Sequence, residues 1–232
     1  MADTVAFAIA WDEIGKRFYE TGVDRGVLYV AKETVVDPTQ PYEDGVPWNG
    51  LTSVTASSDG GEPSPIWADN IKYLNLISAE DAKLSVEAYT YPDEFMICDG
   101  SREIVAGATI GQQPRKQFGF AYRTLIGNDV KQSDLGYKIH LVYGCFATPS
   151  DRGYSTVNDS PEAISFSWEF STTPVEVTGF KPTATIDIDS TKTTPQKLAA
   201  LEAVLYGTAG SGGTGGTAPR LPLPAEVITL LT

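Results

Sequence analysis

Cysteine is nearly absent from this chain of 232 residues; Cys98 and Cys145 are the only two. That is too few for a disulfide framework. With one histidine, His140, it also leaves too few soft ligands for a structural zinc site. Positive charge is scarce as well: 17 Lys and Arg stand against 30 Asp and Glu, for a formal net charge of -13. A nucleic-acid grip needs clustered cations to displace phosphate counterions, and this balance argues against one. It is compatible with an acidic wall that DNA slides past, since like charge prevents sticking. No apolar run approaches the ~18 residues of a transmembrane helix. The opening "MADTVAFAIAWDEIG" has no basic n-region, and Asp12 and Glu13 break its apolar run, so it does not read as a signal peptide. The expectation is a chain made in the cytoplasm that stays soluble or is built into something there, with no membrane anchor.

Catalytic signatures are missing too. No G-x-S-x-G elbow accompanies His140, which falls in mid-strand and reads as structural. "GSGGTGGT" lacks the lysine of a phosphate loop and follows a helix rather than a strand. "DIDST" carries two acids at i and i+2 without the rest of a calcium loop; on a strand they share one face as a solvated acidic stripe. No catalytic residue, metal ligand or cofactor is assigned.

What is present is period-two alternation. In "SFSWEFS", Phe166, Trp168 and Phe170 share one face. In "YKIHLVYGCF", Tyr137, Ile139, Leu141, Tyr143 and Cys145 share one face and Lys138, His140, Val142 and Phe146 the other. "TATIDID", "KLSVEAY" and "FGFAYRTLIG" read the same way, and "GKRFYETGVDRGVLYVA" reads as two strands with a hairpin turn from Gly22 to Gly26. "TPQKLAALEAVLYG" reads as a helix over 194–206, with Thr194 as N-cap, Pro195 at the first position, Gly207 as C-cap and a stripe of Leu198, Leu201 and Leu205. The fold class is mainly β: a sandwich or open barrel of roughly eight or more strands with one flanking helix. Residues 1–207 form the domain, 208–219 a Gly-rich flexible linker, and 220–232 an apolar arm for docking elsewhere or a disordered terminus.

Two stretches read as long loops carrying contacts, 37–50 and 57–70. Trp48, with Asn49 beside it, and Trp67 are candidate interface anchors; the competing reading has both tryptophans capping their own core. Arg115, Lys116 and Arg123 form a basic cluster suited to salt bridges between subunits. In "YTYPDEFMICDG", Pro92 extends Tyr91, Asp93 and Glu94 fall in a polar turn, and "DG" closes a strand-turn-strand corner.

The blocks "PIWADNIKYLNLISAEDAKLSVEAYTYPDEFMICDG", "IGQQPRKQFGFAYRTLIGND", "LGYKIHLVYGCFATPSDRGYSTVNDSPEAISFSWEFSTTPV" and "LEAVLYG", in this order, resemble the major tail (tail tube) proteins of bacteriophages with long non-contractile tails. The ending "PRLPLPAEVITLL" is similar to the C-termini of such proteins. The resemblance implies a β-sandwich whose copies form rings, usually sixfold. The rings stack into a hollow tube lined by an inner β-barrel of strands from every subunit. It implies a virion location after assembly in the host cytoplasm, with tape-measure, tail-terminator and distal tail proteins as partners and genomic DNA only in non-specific transit. Glu87, Asp187 and Asp189 are candidate acids of the lumen. A ligand-binding sandwich, such as a carbohydrate-binding module with Trp48, Trp67 and Tyr91 as platform, is the alternative; an enzyme is the weakest reading.

Overall fold

The computed structural model describes residues 11–154, 156, 163–210 and 215–232. Its strands are β1 (Phe18–Val30), β2 (Val46–Trp48), β3 (Leu51–Gly60), β4 (Pro63–Ala68), β5 (Ile71–Ile77), β6 (Glu80–Ala88), β7 (Arg102–Val105), β8 (Ala108–Ile110), β9 (Phe118–Asn128), β10 (Gln132–Ala147), β11 (Phe166–Ser171) and β12 (Thr185–Asp189). Two helices come after them, α1 (Pro195–Tyr206) and α2 (Pro224–Leu231). Eight strands form one antiparallel sheet in the order β2-β1-β9-β10-β11-β6-β3, with β12 also paired to β10. β4–β5 and β7–β8 are separate hairpins.

The sheet folds over on itself because β10 serves both halves. Its Lys138–Val142 segment pairs with β12, and its last residues, Phe146 and Ala147, pair with β11. The inner layers enclose an aromatic core of Trp48, Phe95, Phe118, Phe120, Trp168 and Phe170. Rings meet edge to face, with Phe118 and Phe170 4.9 Å apart at 90° and Trp48 and Trp168 5.4 Å apart at 73°. The opposite face of the β1–β9–β10–β12 half carries Val27, Tyr29, Ile139, Leu141, Tyr143 and Ile188 against Leu198, Leu201 and Leu205 of α1. Two buried phenols tie these layers: Tyr29 donates to the Leu205 carbonyl at 2.7 Å and Tyr143 to that of Pro222 at 2.9 Å.

The alternation of "SFSWEFS" matches its burial, with Trp168 and Phe170 each 1 % exposed. The α1 boundaries follow Pro195 and Gly207, although the Thr194 side chain makes no capping bond. Other expectations need correction. Gly22–Gly26 is not a turn: β1 runs through it, with register shifts between Thr21 and Asp24 and between Asp24 and Val27. Positive φ at Gly22 and Arg25 supplies bulges rather than a reversal. Cys145 changes face because the ladder slips between Val142 and Cys145, where Gly144 adopts φ 60°. A side chain on Gly144 would run into the Thr173 backbone, and beyond this bulge Cys145 and Ala147 join the inter-layer core. "PDEFMI" is a 3-10 turn over Asp93–Ile97, not a strand corner, and Phe95 plugs the sandwich at 0 % exposure.

Residues 220–232, expected as a docking arm, pack on their own chain through buried Leu221 and Val227. Pro224 sits at the start of α2 and Glu226 in its first turn. Arg220 pairs with Glu226 through two hydrogen bonds. Lys197 on α1 donates to the carbonyls of Leu231 and Thr232, neutralising the end of α2. Residues 211–214 of the expected linker lie outside the described residues.

Candidate assembly surfaces

The stretch 57–70, expected as a loop, is mostly strand. β3 and β6 pair from Leu51↔Ala88 out to Gly60↔Glu80, and β4 and β5 continue the ribbon from Pro63↔Ile77 to Ala68↔Ile71. Pro63 and Pro65 fit because this hairpin is only two strands wide and all edge. Asp69 and Asn70, at φ 50° and 63°, make the tight two-residue turn. Ile66, Trp67, Ile71, Tyr73, Leu74, Leu76 and Ile77 are between 40% and 69% exposed. A bare two-stranded hairpin is marginal in water, and such a run of exposed apolar side chains makes it a candidate contact surface. The signal was present in "IKYLNLI", whose alternate positions are apolar on both faces, but only Trp67 stood out in the sequence.

The outer face of the β3–β6–β11 layer is polar. Ser53, Thr55, Ser57 and Asp59 lie in register with Glu87, Ser85, Lys83 and Asp81, and Ser167, Glu169 and Ser171 continue the rows on β11. Asp59, Asp81, Glu87 and Glu169 are exposed, and Lys83 pairs with Asp59 at 2.6 Å. β3 forms the margin of this layer. Its ten residues include neither Pro nor Lys, and beyond the bulge between Leu51 and Ser53 its outer side pairs with no strand among the described residues.

Asp187 and Asp189 lie elsewhere and do not form a free acidic stripe. His140 Nδ1 is 2.7 Å from Asp187 Oδ1, and Nε2 is 2.9 Å from Thr124 Oγ1. Thr124 donates to Glu20 at 2.5 Å, Lys138 also donates to Glu20, and the Tyr122 ring stacks on the imidazole at 4.5 Å. The His140 hydrogen bond, opposed by partial burial and aided by the charges of His140 and Lys138, holds the Asp187 carboxyl below its ordinary value. Burial raises the Glu20 carboxyl, but hydrogen bonds from Lys138 and Thr124 and the nearby cations bring it below the ordinary value. The Asp–His–Thr order has the distances of a nucleophile relay, yet the Thr124 proton points at Glu20 and the backbone of β9 and β10 is engaged in the ladder. The network serves to join β1, β9, β10 and β12. Asp189 caps the next turn, accepting from Thr191 N at 2.8 Å.

The basic cluster separates. Arg123 is spent within the chain, bonded to Asp24 at 2.7 and 2.5 Å and lying 4.8 Å over the Tyr137 ring. Lys116 pairs with Glu33 at 2.7 Å. Arg102, which the sequence pattern did not connect with Arg115, reaches the Pro114 carbonyl through Nη2 at 3.5 Å; among the described residues Arg102 Nη1 and Arg115 Nε are each buried without a partner. The nearby Cys98 thiol is pushed up to about 12 by burial, against the pull of Lys116 and Arg102, so it is inert at neutral pH.

Trp48 is a core residue, not an interface anchor. It is 1 % exposed and its indole donates to the Thr90 carbonyl at 2.9 Å, because β2 brings it in above Phe95 and Trp168. Asn49 is exposed between β2 and β3. The three-aromatic platform is therefore not assembled: Trp48 is internal, Tyr91 packs on Phe95, Phe166 and Trp168, and Trp67 stands on the arm.

Among the described residues no group of three or more His, Cys, Asp or Glu is placed to hold a metal ion, and no helix is long and apolar enough to cross a membrane. No family model and no curated protein matches the chain. Solved structures similar to it in part include the following two. The sheath/tube terminator of an extracellular contractile injection system in the extended state matches at TM-score 0.31 and 11% identity, over 78% of this chain and 99% of that one. The sheath-tube complex of such a system matches at TM-score 0.30 and 12% identity, over 71% and 88%. Superpositions this loose carry no functional weight; the chain's own residues and geometry do.

Proposed function

We propose that the chain is a structural subunit of a phage tail tube. Its copies join into rings, sixfold in such tubes, and the rings stack around a lumen that holds the tape-measure protein and passes genomic DNA. The observation that carries this reading is the β4–β5 arm: seven large apolar side chains held on a defined strand pair and left uncovered by the described residues of their own chain. The block resemblance in the sequence points the same way. The open β3 edge is the place for a neighbour's strand, which would satisfy the backbone groups left bare and extend the sheet into an inner barrel. The Ser/Thr-rich face with Asp59, Asp81, Glu87 and Glu169 then lines the lumen, where carboxylates repel phosphates and speed passage. Asp187 and Asp189, engaged with His140 and Thr191, are withdrawn from that role. Partners are further copies of the chain, the tape-measure protein and the terminator and distal tail proteins that cap the stack. The subunit needs no cofactor and performs no turnover, and it belongs to the virion after assembly in the host cytoplasm.

Negative-stain electron microscopy of the purified protein at rising concentration, with and without extract containing the distal tail proteins, tests the proposal. Rings or hollow tubes are expected. A species that stays monomeric by sedimentation under all these conditions rejects it.

A further inference from the structure

We infer that residues 4–10 lie along the outer edge of β12 of their own chain, in a trench that the described residues leave open. The inference stands apart from the tube reading above.

The edge of β12 is bare. Tyr143 N donates to Ala184 O at 2.8 Å and Ser190 N to Tyr137 O at 3.0 Å. In an antiparallel ladder of this register Ala184, Ile186 and Ile188 turn their backbone groups toward β10, and Thr185, Asp187 and Asp189 turn theirs away. The Thr183 hydroxyl accepts from the Thr185 amide and donates to its carbonyl. The Asp189 carbonyl accepts from the amides of Lys192 and Thr193. That leaves the Asp187 amide and carbonyl and the Asp189 amide without a partner among the described residues. Unpaired strand groups of this kind take on a further strand.

A groove of about 850 Å³ follows this edge. Asp187 and Asp189 line it from one face of β12, Ile186 and Ile188 from the other, and Val227 and Ile228 of α2 form its far wall. A cavity lined from both faces of a strand lies along the edge of that strand. Phe180 and Ile228, 76% and 43% exposed, make it apolar and accessible. A second hollow, of about 430 Å³, shares Lys138, Asp189 and Lys192 with the groove and leads to Phe18 and Tyr19 at the start of β1.

The chain before β1 begins at that mouth. Lys16 N donates to Glu13 O at 3.2 Å, and this turn folds the chain back so that Asp12 meets Arg17. Residues 1–10, extended, reach up to about 33 Å. The path from β1 past β9 and β10 to β12 is about 14 Å, and the five residues of β12 add about 17 Å. The chain's own segment is therefore long enough. In "TVAFAIA" Val5, Phe7 and Ile9 alternate with Ala6, Ala8 and Ala10, a strand pattern with no charge, Gly or Pro. At about 3.3 Å per residue, Ile9 and Phe7 fall in the hollow beside Phe18 and Tyr19, and Val5 reaches the edge. Entering at the Asp189 end, the segment runs parallel to β12. Covered in this way, β12 is kept from pairing at random, while β3 remains open to a neighbour.

Hydrogen exchange of the Asp187 and Asp189 amides, followed by NMR on dilute protein that sediments as a monomer, tests the inference. Both amides should exchange about tenfold or more slowly in the parent than in Phe7→Asp and in a chain lacking residues 2–10. The Ile186 and Ile188 amides, bonded to β10, report folding and should stay protected in all three. Equal rates in the parent and a folded variant overturn the inference. Protection that appears only as the concentration rises assigns the trench to a second copy and overturns it too. So does protection that survives loss of residues 2–10 and is removed by Trp67→Ser, which assigns the trench to the arm. None of these outcomes bears on whether rings or tubes form, which electron microscopy reads separately.

Discussion

The body and the arm are made of the same kind of ribbon and differ in what covers it. Around β6, Leu84, Val86 and Ala88 are buried against Trp168, Phe170 and Trp48, and the alternate positions are Ser, Lys and Glu. Just before it in the chain, β5 is as apolar as β6 and every residue of it is exposed. One ribbon has finished its packing within the chain. The other has strand geometry, a tight turn and apolar side chains on both faces, and no layer among the described residues meets them. Apolar surface that a chain keeps exposed on a defined scaffold is surface meant for another molecule. On the proposed reading the body accounts for stability and the arm for assembly.

Substitutions should separate the two roles. The largest effect belongs to Trp48→Ala. It empties the centre of the aromatic core and should cost about 3–5 kcal/mol in urea-induced unfolding; a variant as stable as the parent would return Trp48 to the interface. A smaller effect belongs to the Asp187–His140 join. Because the folded carboxyl titrates below the ordinary value of 3.8, its contribution is complete above that value and disappears as the pH falls through the folded one. The parent should therefore lose more stability than Asp187→Asn between neutral pH and pH about 3. Parallel stability profiles would show the join to be idle. The smallest stability effect belongs to Trp67→Ser on the arm, within about 0.5 kcal/mol of the parent, yet tubes should fail to form at concentrations where the parent polymerises. An equal loss of folding stability would place Trp67 with the body.

Much of the body was legible in the sequence because alternation and burial obey one rule where a strand has a wet and a dry face. "SFSWEFS" is such a strand, and the Leu198–Leu201–Leu205 stripe is the helical equivalent. The arm reads as loop for a physical reason: "PSPIWADN" carries turn residues, and Pro in a strand signals an edge only once the sheet is known. Gly22 and Gly144 were equally ambiguous, since a glycine at positive φ serves a hairpin or a bulge alike. At Gly144 one extra residue moves Cys145 to the other face, a change that no periodicity records. The basic cluster failed in a similar way, because Arg123 turns to Asp24 and Tyr137, while Arg102, distant in sequence, reaches the Pro114 carbonyl beside Arg115.

By itself the sequence determined the strand-rich class, the acidic surface, the position of α1 and the scarcity of metal ligands, since each depends on composition or on a local period. Which tryptophan is buried and which is offered, which acids stay unpaired, and where two arginines keep unpartnered nitrogens were decided only in three dimensions. Those outcomes depend on partners distant in the chain, which the folded sheet alone brings within a few ångströms.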